Sequence, residues 1–220
     1  MKLVCLGAVA EAIRIAHKIM ELDKNFELLG FIDNDEKKWN TKLYSFPIFG
    51  GMSLINELSK KKVEFCNLVT HDGVSRYETG LELVKRGARL SNFIYPQINL
   101  EFVELGLGNY IQENVVLQAH VQIGNNSSIH IGSLIGHDTK IGNSVFIAHG
   151  CNISGGVKIE DGVVLGTGVS VLPKIRIGKW SIIGAGSVII KDVPPYSLVV
   201  GNPGKEIKTF EKKYNSGNVF

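Results

Sequence analysis

The chain has 220 residues, of which 44% are hydrophobic and 20% are charged, and its formal net charge is +3 at pH 7. These values are ordinary for a soluble globular protein, and so small a charge, without an extended Lys/Arg block, argues against nucleic-acid binding. No apolar run reaches the ~18 residues that would span a membrane, and the start of the chain lacks the basic stretch and cleavage site of a signal peptide. We therefore expect a cytoplasmic protein without membrane insertion.

The first part of the chain alternates strand-like and helix-like segments. Short apolar runs predict strands at residues 1–7, 26–33, 67–70 and 88–95, and apolar residues at helical spacing predict helices at residues 10–22 and 77–85. This alternation is typical of a Rossmann-like α/β domain, which we assign to residues 1–95. Such sheets bind ligands at the carboxyl ends of their strands, so Gly7–Ala8 and Asp33–Asn34 are expected to border one crevice.

A six-residue period governs the second part of the chain. Fifteen positions spaced by six are all aliphatic, namely Leu105, Ile111, Leu117, Ile123, Ile129, Ile135, Ile141, Ile147, Ile153, Ile159, Leu165, Val171, Ile177, Ile183 and Ile189. This period is the signature of a hexapeptide β-helix, in which three hexapeptides form one triangular coil of eighteen residues. The aliphatic residues are predicted to fill the core of a prism of about five coils, ~24 Å long at ~4.8 Å per stacked strand.

The repeat "[LIV]-G-x-x-x-x", which ends in VPPYSLVVGNPGKEIK, closely resembles that of the left-handed parallel β-helix acyltransferases. An α/β domain, a link near Pro96 and then the prism resemble the NeuD/PglD-type sugar acetyltransferases. The resemblance implies the left hand of the helix, a first domain that holds the acceptor, and acetyl-CoA bound between neighbouring subunits of a homotrimer. We assign residues 96–220 to this β-helix domain and its C-terminal tail.

His137 and Asp138 lie two and three residues after Ile135, where a prism corner is expected. In the family that the chain resembles, an HD or HE pair at this point carries the general base and the acid that orients it. Imidazole, with a pKa near ~6.5, is suited to accept a proton from an attacking amine, and a neighbouring carboxylate fixes its tautomer. Without the resemblance, the same pair is equally consistent with a solvated turn.

The resemblance also assigns the binding residues. It implies that the acceptor, a nucleotide-linked amino sugar, contacts Gly7, Ala8, Asp33, Asn34 and His130. The family's spacing from the catalytic histidine implies that acetyl-CoA runs beside Ala148, Gly155, Thr167 and Ala185. No metal site is expected, because Cys5, Cys66 and Cys151 are widely spaced, read best as buried free thiols, and form no Cys/His ligand cluster.

The chain departs from the family pattern at two places. Phe146 stands where several relatives have a second histidine, so oxyanion stabilisation is expected from backbone N–H groups. The loop GAVAEA at residues 7–12 has fewer glycines than the family's loop, which weakens the case for close phosphate approach. Two further roles stay open. His120 is either a hydrogen-bond partner of Asp138 or, as we favour, one of a stack of exposed surface residues, and His149 lies near the cofactor groove or serves a plain turn.

The expected function is acetyl-CoA-dependent N-acetylation of a nucleotide-linked amino sugar in the synthesis of a bacterial surface glycan, with direct attack of the amine on the thioester. O-acetylation of sialic acid or another sugar is the alternative within the same class, since the same base deprotonates a hydroxyl. A non-catalytic sugar-binding β-helix protein and a β-helix carbonic anhydrase are less favoured. The retained HD pair argues against the first, and the α/β domain argues against the second.

Overall fold

A six-stranded sheet organises the N-terminal part of the chain in the computed structural model, which describes residues 1–69 and 73–211. Its strands, in the spatial order β3-β4-β2-β1-β5-β6, are β1 (Lys2–Leu6), β2 (Glu27–Ile32), β3 (Thr41–Leu43), β4 (Phe46–Ile48), β5 (Glu64–Asn67) and β6 (Arg89–Leu90). β1 pairs in parallel with β2 and β5. This is the α/β arrangement that the sequence predicts.

Three helices and two short 3₁₀ turns accompany this sheet. The helices are α1 (Ala10–Leu22), α2 (Ile55–Lys60) and α3 (Gly73–Lys85), and the turns are Glu36–Lys38 and Met52–Leu54. α1 has the predicted bounds and buries Ala12, Ile13, Ile15 and Ala16. These residues recur at helical spacing, so they form one apolar stripe against the sheet.

Three predicted elements differ from the structure. The strand predicted at residues 67–70 is wrong, because β5 ends at Asn67, whose side chain accepts the N–H of Val69 at 3.0 Å and turns the chain; residue 70 lies outside the described residues. The helix predicted from Tyr77 already begins at Gly73. The strand predicted at residues 88–95 is two strands, β6 and β7 (Phe93–Ile94), which join different sheets.

The second part of the chain is a triangular prism built from fifteen two-residue strands. Each strand ends at one of the fifteen aliphatic positions, and each pairs in parallel with the strand eighteen residues before it, with the one eighteen residues after it, or with both. The predicted period is therefore confirmed at every step. The core contains the aliphatic residues together with those two positions earlier, such as Val121, Val145 and Val163.

The prism has three faces with different outward side chains. The domain face, against the α/β domain, consists of β9 (Tyr110–Ile111), β12 (Ser128–Ile129), β15 (Phe146–Ile147), β18 (Val164–Leu165) and β21 (Ile182–Ile183), extended by β7, β23 (Ser197–Val200) and β24 (Lys205–Thr209). The charged face consists of β8 (Glu104–Leu105), β11 (Gln122–Ile123), β14 (Lys140–Ile141), β17 (Lys158–Ile159) and β20 (Arg176–Ile177). The apolar face consists of β10 (Val116–Leu117), β13 (Leu134–Ile135), β16 (Asn152–Ile153), β19 (Ser170–Val171) and β22 (Val188–Ile189).

Arg76 on α3 joins the two parts of the chain. Its guanidinium is fully buried and donates to the backbone carbonyls of Asn126 at 2.6 Å and Ser127 at 3.0 Å in the prism, and to that of Asn67 at 3.1 Å in the sheet. Burial lowers the pKa of Arg76 to about 10, so the side chain is still a cation near pH 7. Gly80 allows this close approach, because a Cβ there would lie 2.3 Å from the Asn126 side chain.

The stacked core gives a direct prediction about stability. Ile147 is fully buried in the middle of the prism, so Ile147→Ala should leave a cavity and lower the free energy of unfolding by about 2–5 kcal/mol, while Ile147→Val should cost about 0.5–1.5 kcal/mol. Urea unfolding at one fixed protein concentration measures both. An alanine variant as stable as the valine variant would contradict the assignment of Ile147 to a tightly packed core.

Candidate active site

His137 and Asp138 form the turn between the apolar face and the charged face, which we call the His137 corner (residues 118–120, 136–138, 154–156 and 172–174). The coil below holds this turn in place: the backbone N–H of His137 donates to the side-chain oxygen of Gln118 at 2.9 Å, and that of Asp138 donates to the carbonyl of Ala119 at 3.1 Å. Asp138 has a φ of 58°, in the left-handed region that Asp tolerates in turns. The two side chains therefore project from a rigid support.

The two side chains contact each other as a general base and its orienting acid would. His137 Nδ1 lies 2.7 Å from Asp138 Oδ2, and both side chains are more than half exposed. The hydrogen bond from His137 lowers the pKa of Asp138, and a weaker one from His120 adds to this. Asp138 is therefore an anion near pH 7, and the proton it accepts lies on Nδ1, which leaves the Nε2 lone pair of His137 unshared.

Gly155, one coil above, faces the reactive edge of this ring. A Cβ at Gly155 would lie only 2.6 Å from His137 Nε2. Any larger residue would therefore cover the nitrogen that has the free lone pair. The prediction from the family's spacing assigned Gly155 to acetyl-CoA; the structure gives this residue a second reason to be glycine, which is access to Nε2.

His120 contacts Asp138, so the favoured prediction of a plain surface role is wrong. Its Nδ1 lies 3.2 Å from the second carboxylate oxygen of Asp138. It lies one coil below, eighteen residues earlier in the chain, as the stacking of corners requires. His120 is thus a hydrogen-bond partner of Asp138 rather than an isolated residue of a surface ladder.

Three of the four residues assigned to acetyl-CoA share another corner. Ala148, Thr167 and Ala185 lie where the domain face meets the apolar face, which we call the Thr167 corner (residues 112–114, 130–132, 148–150, 166–168 and 184–186). Thr167 and Ala185 are exposed, whereas Ala148 is buried. Thr167 and Ala185 stack in one column eighteen residues apart, and Ala148 lies one position before the next residue of that column, His149, whereas Gly155 lies on the His137 corner.

Gly7–Ala8 and Asp33, which were predicted to border one crevice, lie together at the carboxyl ends of β1 and β2. The Asp33 carboxylate accepts the N–H of Ala8 at 3.0 Å, the N–H of Asp35 at 2.9 Å and the ammonium of Lys38 at 2.9 Å. Burial raises the pKa of Asp33, but these three donors outweigh burial and the net shift is downward. Asn34 is exposed beside this carboxylate.

A cavity of about 400 Å³ lies where α1 meets the Thr167 corner. Its wall includes Arg14, Tyr110, Glu113, His130 and His149. Arg14 forms an ion pair with Glu113 across the junction, at 3.2 Å. The sequence pattern singled out the two histidines but neither Arg14, Tyr110 nor Glu113, because no spacing rule links a residue of α1 to a prism corner a hundred residues later.

His130 is the buried polar group of this cavity. Its side chain is 6% exposed, its Nε2 lies 3.0 Å from the Ser128 hydroxyl, and its Nδ1 has no hydrogen-bond partner. Burial, with a contribution from His149, lowers the pKa of His130 to about 3. His130 is therefore a neutral imidazole with one unused polar atom, which suits a hydrogen bond to a ligand.

Phe146, the residue in place of a second histidine, packs against the His130 ring with centroids 4.8 Å apart. It has no polar atom to offer to a reaction. Within the described residues, no group of three or more His, Cys, Asp or Glu side chains is placed to hold a metal ion. In residues 1–69 and 73–211, none of the helices is long and apolar enough to cross a membrane.

The His137 pair and the cavity lie on different corners of the same chain. Ile131 in the cavity wall and His137 are separated by the width of the apolar face, roughly 15–20 Å at about 3.3 Å per extended residue. A ligand in the cavity of one chain is therefore remote from His137 of that chain.

Comparison with known proteins supports the architecture. The profile of the family described as "Bacterial transferase hexapeptide (six repeats)" matches residues 120–155 and 156–191. PerB from Caulobacter crescentus, crystallised with CoA and GDP-perosamine, is 24% identical with a TM-score of 0.84, over 94% of this chain and 98% of PerB. The acetyltransferase domain of PglB from Neisseria gonorrhoeae is also 24% identical with a TM-score of 0.84, over 94% of this chain and 99% of that domain.

A curated relative resembles only a short segment. A Staphylococcus aureus (strain MRSA252) protein, an acetyltransferase by name, is 53% identical over 36 residues, which is 16% of this chain and 18% of the relative. The matched region thus spans less than a fifth of that protein. Together the matches confirm the predicted fold class, an α/β domain followed by a left-handed parallel β-helix, and the resemblance to NeuD/PglD-type structures.

The buried neutral state of His130 makes stability depend on pH. The folded pKa of about 3 lies below the ~6.5 of an unfolded histidine, so below pH ~6.5 the unfolded chain binds a proton that the folded chain excludes. His130 should therefore lower the free energy of unfolding by up to about 1.4 kcal/mol for each pH unit as the pH drops from about 6 to about 4. His130→Gln should show a shallower fall, measured by urea unfolding across this range. Parallel profiles for wild type and variant, with the exposed His17→Gln as control, would contradict this account.

Proposed function

We propose that the protein transfers the acetyl group of acetyl-CoA to the amine of a nucleotide-linked sugar, with His137 as general base. The amine nitrogen attacks the thioester carbonyl carbon, a new C–N bond forms and the C–S bond breaks. The proton lost by the amine goes to His137 Nε2 and then to the CoA sulfur, so the products are the N-acetyl sugar and free CoA. The thioester is already activated, and an acyl-enzyme is not required.

The observation that carries this proposal is the contact between His137 Nδ1 and Asp138 Oδ2, at 2.7 Å. It fixes the tautomer whose Nε2 accepts a proton, and the carboxylate stabilises the imidazolium that forms during attack. Gly155 keeps that nitrogen accessible. Because Phe146 has no donor, the negative charge on the thioester oxygen is left to backbone N–H groups of the exposed corners.

The acceptor binds, in this proposal, at the crevice of Ala8 and Asp33 and in the adjoining cavity with His130. The crevice lies at the carboxyl ends of β1 and β2, where α/β sheets bind nucleotides. The unused Nδ1 of His130 is a partner for a sugar hydroxyl or carbonyl oxygen. PerB was crystallised with a nucleotide-linked amino sugar and CoA, which supports this class of acceptor and the acetyl-CoA cosubstrate.

The apolar face supports a homotrimer. Val116, Leu134, Leu172 and Ile190 are exposed on or beside it, each by 45–49%, whereas the opposing charged face presents Lys140, Lys158 and Arg176. Asn152 and Ser170 on the middle strands interrupt these apolar side chains. A largely apolar surface bounded by polar faces is typical of a subunit interface. Identical subunits in a closed ring bury it by turning this face toward a threefold axis.

This arrangement accounts for the separation of the candidate site residues. If the apolar face of each subunit lies toward the axis, the His137 corner of one subunit meets the Thr167 corner of the next. His137 and Asp138 of one chain then face Thr167, Ala185 and the acceptor cavity of its neighbour. The proposed active site is thus completed by two chains.

The activity is tested directly with a panel of UDP-, dTDP- and GDP-linked amino sugars and acetyl-CoA. Free CoA is followed by its thiol, and the product is treated with hydroxylamine, which cleaves an ester but leaves an amide intact. An amide product from one member of the panel supports the proposal. An ester product from a hydroxyl sugar would replace it with O-acetylation.

Two variants should separate catalysis from cofactor binding. His137→Ala should lower kcat by about 10²–10⁴-fold, because the general base is lost, with an unchanged dissociation constant for acetyl-CoA. Ala185→Trp should raise KM for acetyl-CoA at least several-fold through steric obstruction, with a folded trimer. Steady-state kinetics and calorimetry measure both. Near wild-type turnover in the first variant removes His137 from the mechanism, and an unchanged KM in the second means that the cofactor binds elsewhere.

The oligomer is tested at the apolar face. Leu134→Glu should place three like charges near the threefold axis, and their repulsion should convert the trimer to a monomer. Light scattering measures this change, because the trimer has three times the 24.1 kDa mass of one chain. Lys140→Glu on the charged face is the matched control and should stay trimeric. A wild-type monomer, or a Leu134→Glu trimer, would contradict the assigned interface.

A further inference from the structure

Asp138 is shared between two histidines from successive coils. Its Oδ2 lies 2.7 Å from Nδ1 of His137, and its Oδ1 lies 3.2 Å from Nδ1 of His120. Each oxygen of the carboxylate thus has one imidazole partner. The arrangement arises from the stacking of corners, because His120 occupies in the lower coil the position that Asp138 occupies eighteen residues later.

His120 is held below the carboxylate by its own surroundings. It has a φ of 63°, in the same left-handed region as Asp138, and its N–H donates to the carbonyl of Phe102 at 2.8 Å. The Phe102 ring meets the imidazole edge-on, with centroids 6.5 Å apart. Backbone and ring contacts therefore limit the positions that this exposed side chain can adopt.

The second contact matters because Asp138 is 58% exposed. A carboxylate with a single partner at such a site rotates about its side-chain bonds, and the ring that it orients moves with it. A hydrogen bond to the second oxygen fixes the plane of the carboxylate and withdraws part of its negative charge from His137. Both effects reach Nε2 of His137, although His120 does not contact the reacting atoms.

We propose that His120 is a positioning residue, which holds Asp138 so that His137 keeps its reactive orientation and basicity. This inference rests on the function proposed above, since His137 must be the base for its position to matter. The contact itself is measurable without any catalytic assay.

Few other groups act on this carboxylate. The lower coil contributes the uncharged Gln118, and the coil above contributes Gly155 and Gly156. Beyond them, the stem of Lys174 lies over Gly156. Glu101 lines the shallow cavity that also includes His137. Among these neighbours in the described part of the chain, His120 is the one whose imidazole directly contacts the carboxylate, so its removal should change the pH response of His137.

Kinetics of two substitutions test the proposal. His120→Ala should lower kcat about 10-fold, the usual scale for a residue that orients a catalytic group, with little change in KM for acetyl-CoA. It should also move the acidic limb of the rate profile upward by about half a pH unit, because an unshared carboxylate makes His137 more basic. His120→Asn retains an N–H donor and should recover most of kcat. His17→Ala, at an exposed site on α1, is the control and should match wild type.

Nuclear magnetic resonance of histidine-labelled protein separates the effect of His120 on His137 from the proposed acetyl transfer. The titration of the His137 ring should change in His120→Ala and be restored toward wild type in His120→Asn. An unchanged His137 titration overturns the proposal whether or not the protein transfers acetyl groups. A changed titration with an unchanged kcat also overturns the positioning role and leaves only the contact. Full turnover in His137→Ala would refute the proposed function separately, because it would show that His137 is not the general base.

Discussion

Parallel stacking of coils every eighteen residues is the constraint on which the rest of the structure depends. The hexapeptides bury an aliphatic side chain at the end of the strand and, in many coils, a second one two positions earlier, and the strands of the prism pair with the strands one coil away. The hydrogen bonds repeat without a break, as from the N–H of Leu134 to the carbonyl of Cys151 at 2.8 Å and from that of Gly136 to Ile153 at 2.7 Å. An insertion within a coil would displace every residue after it by part of a face. The stacking therefore gives each side chain a fixed neighbour above and below.

The surroundings of the His137–Asp138 pair follow from that constraint. Columns of corner residues bring together His120 with Asp138 and His137 with Gly155, although each pair is eighteen residues apart. The three faces then take separate roles. One is covered by the α/β domain through buried Arg76, one is charged, and one presents exposed apolar side chains, which we propose as the subunit interface. The active site that we propose, shared between two subunits, would bring the His137 corner on one edge of this face together with the His130 cavity on the other edge in the neighbouring chain.

The prism could be predicted from the sequence because one aliphatic residue recurs at every sixth position. The structure confirms a strand at each of these positions. The corner position of His137 follows from the same count. Other features depend on contacts that no period encodes. The Asn67 turn that ends β5, the ion pair between Arg14 and Glu113, and the choice of His120 between solvent and Asp138 arise from packing between distant segments. The roles of Asp33, Asn34 and His130 toward an acceptor, and of Thr167 and Ala185 toward acetyl-CoA, stay predictions, because they concern molecules that the chain's own packing does not reveal.

The central claim, that each active site is completed by the His137 corner of one subunit and the Thr167 corner of the next, is tested most directly by mixing two variants, one impaired in kcat and the other in acetyl-CoA binding. His137→Ala and Ala185→Trp chains are co-expressed with different affinity tags, and the mixed trimers are isolated and assayed at low acetyl-CoA concentration. In a ring with random mixing, about one quarter of all sites combine an intact His137 from one chain with an intact Ala185 from its neighbour. The account predicts recovery to about one quarter of wild-type activity in the unfractionated mixture, and about one third in purified mixed trimers. Mixed trimers no more active than the two parent variants would contradict it and would place the whole site within a single chain.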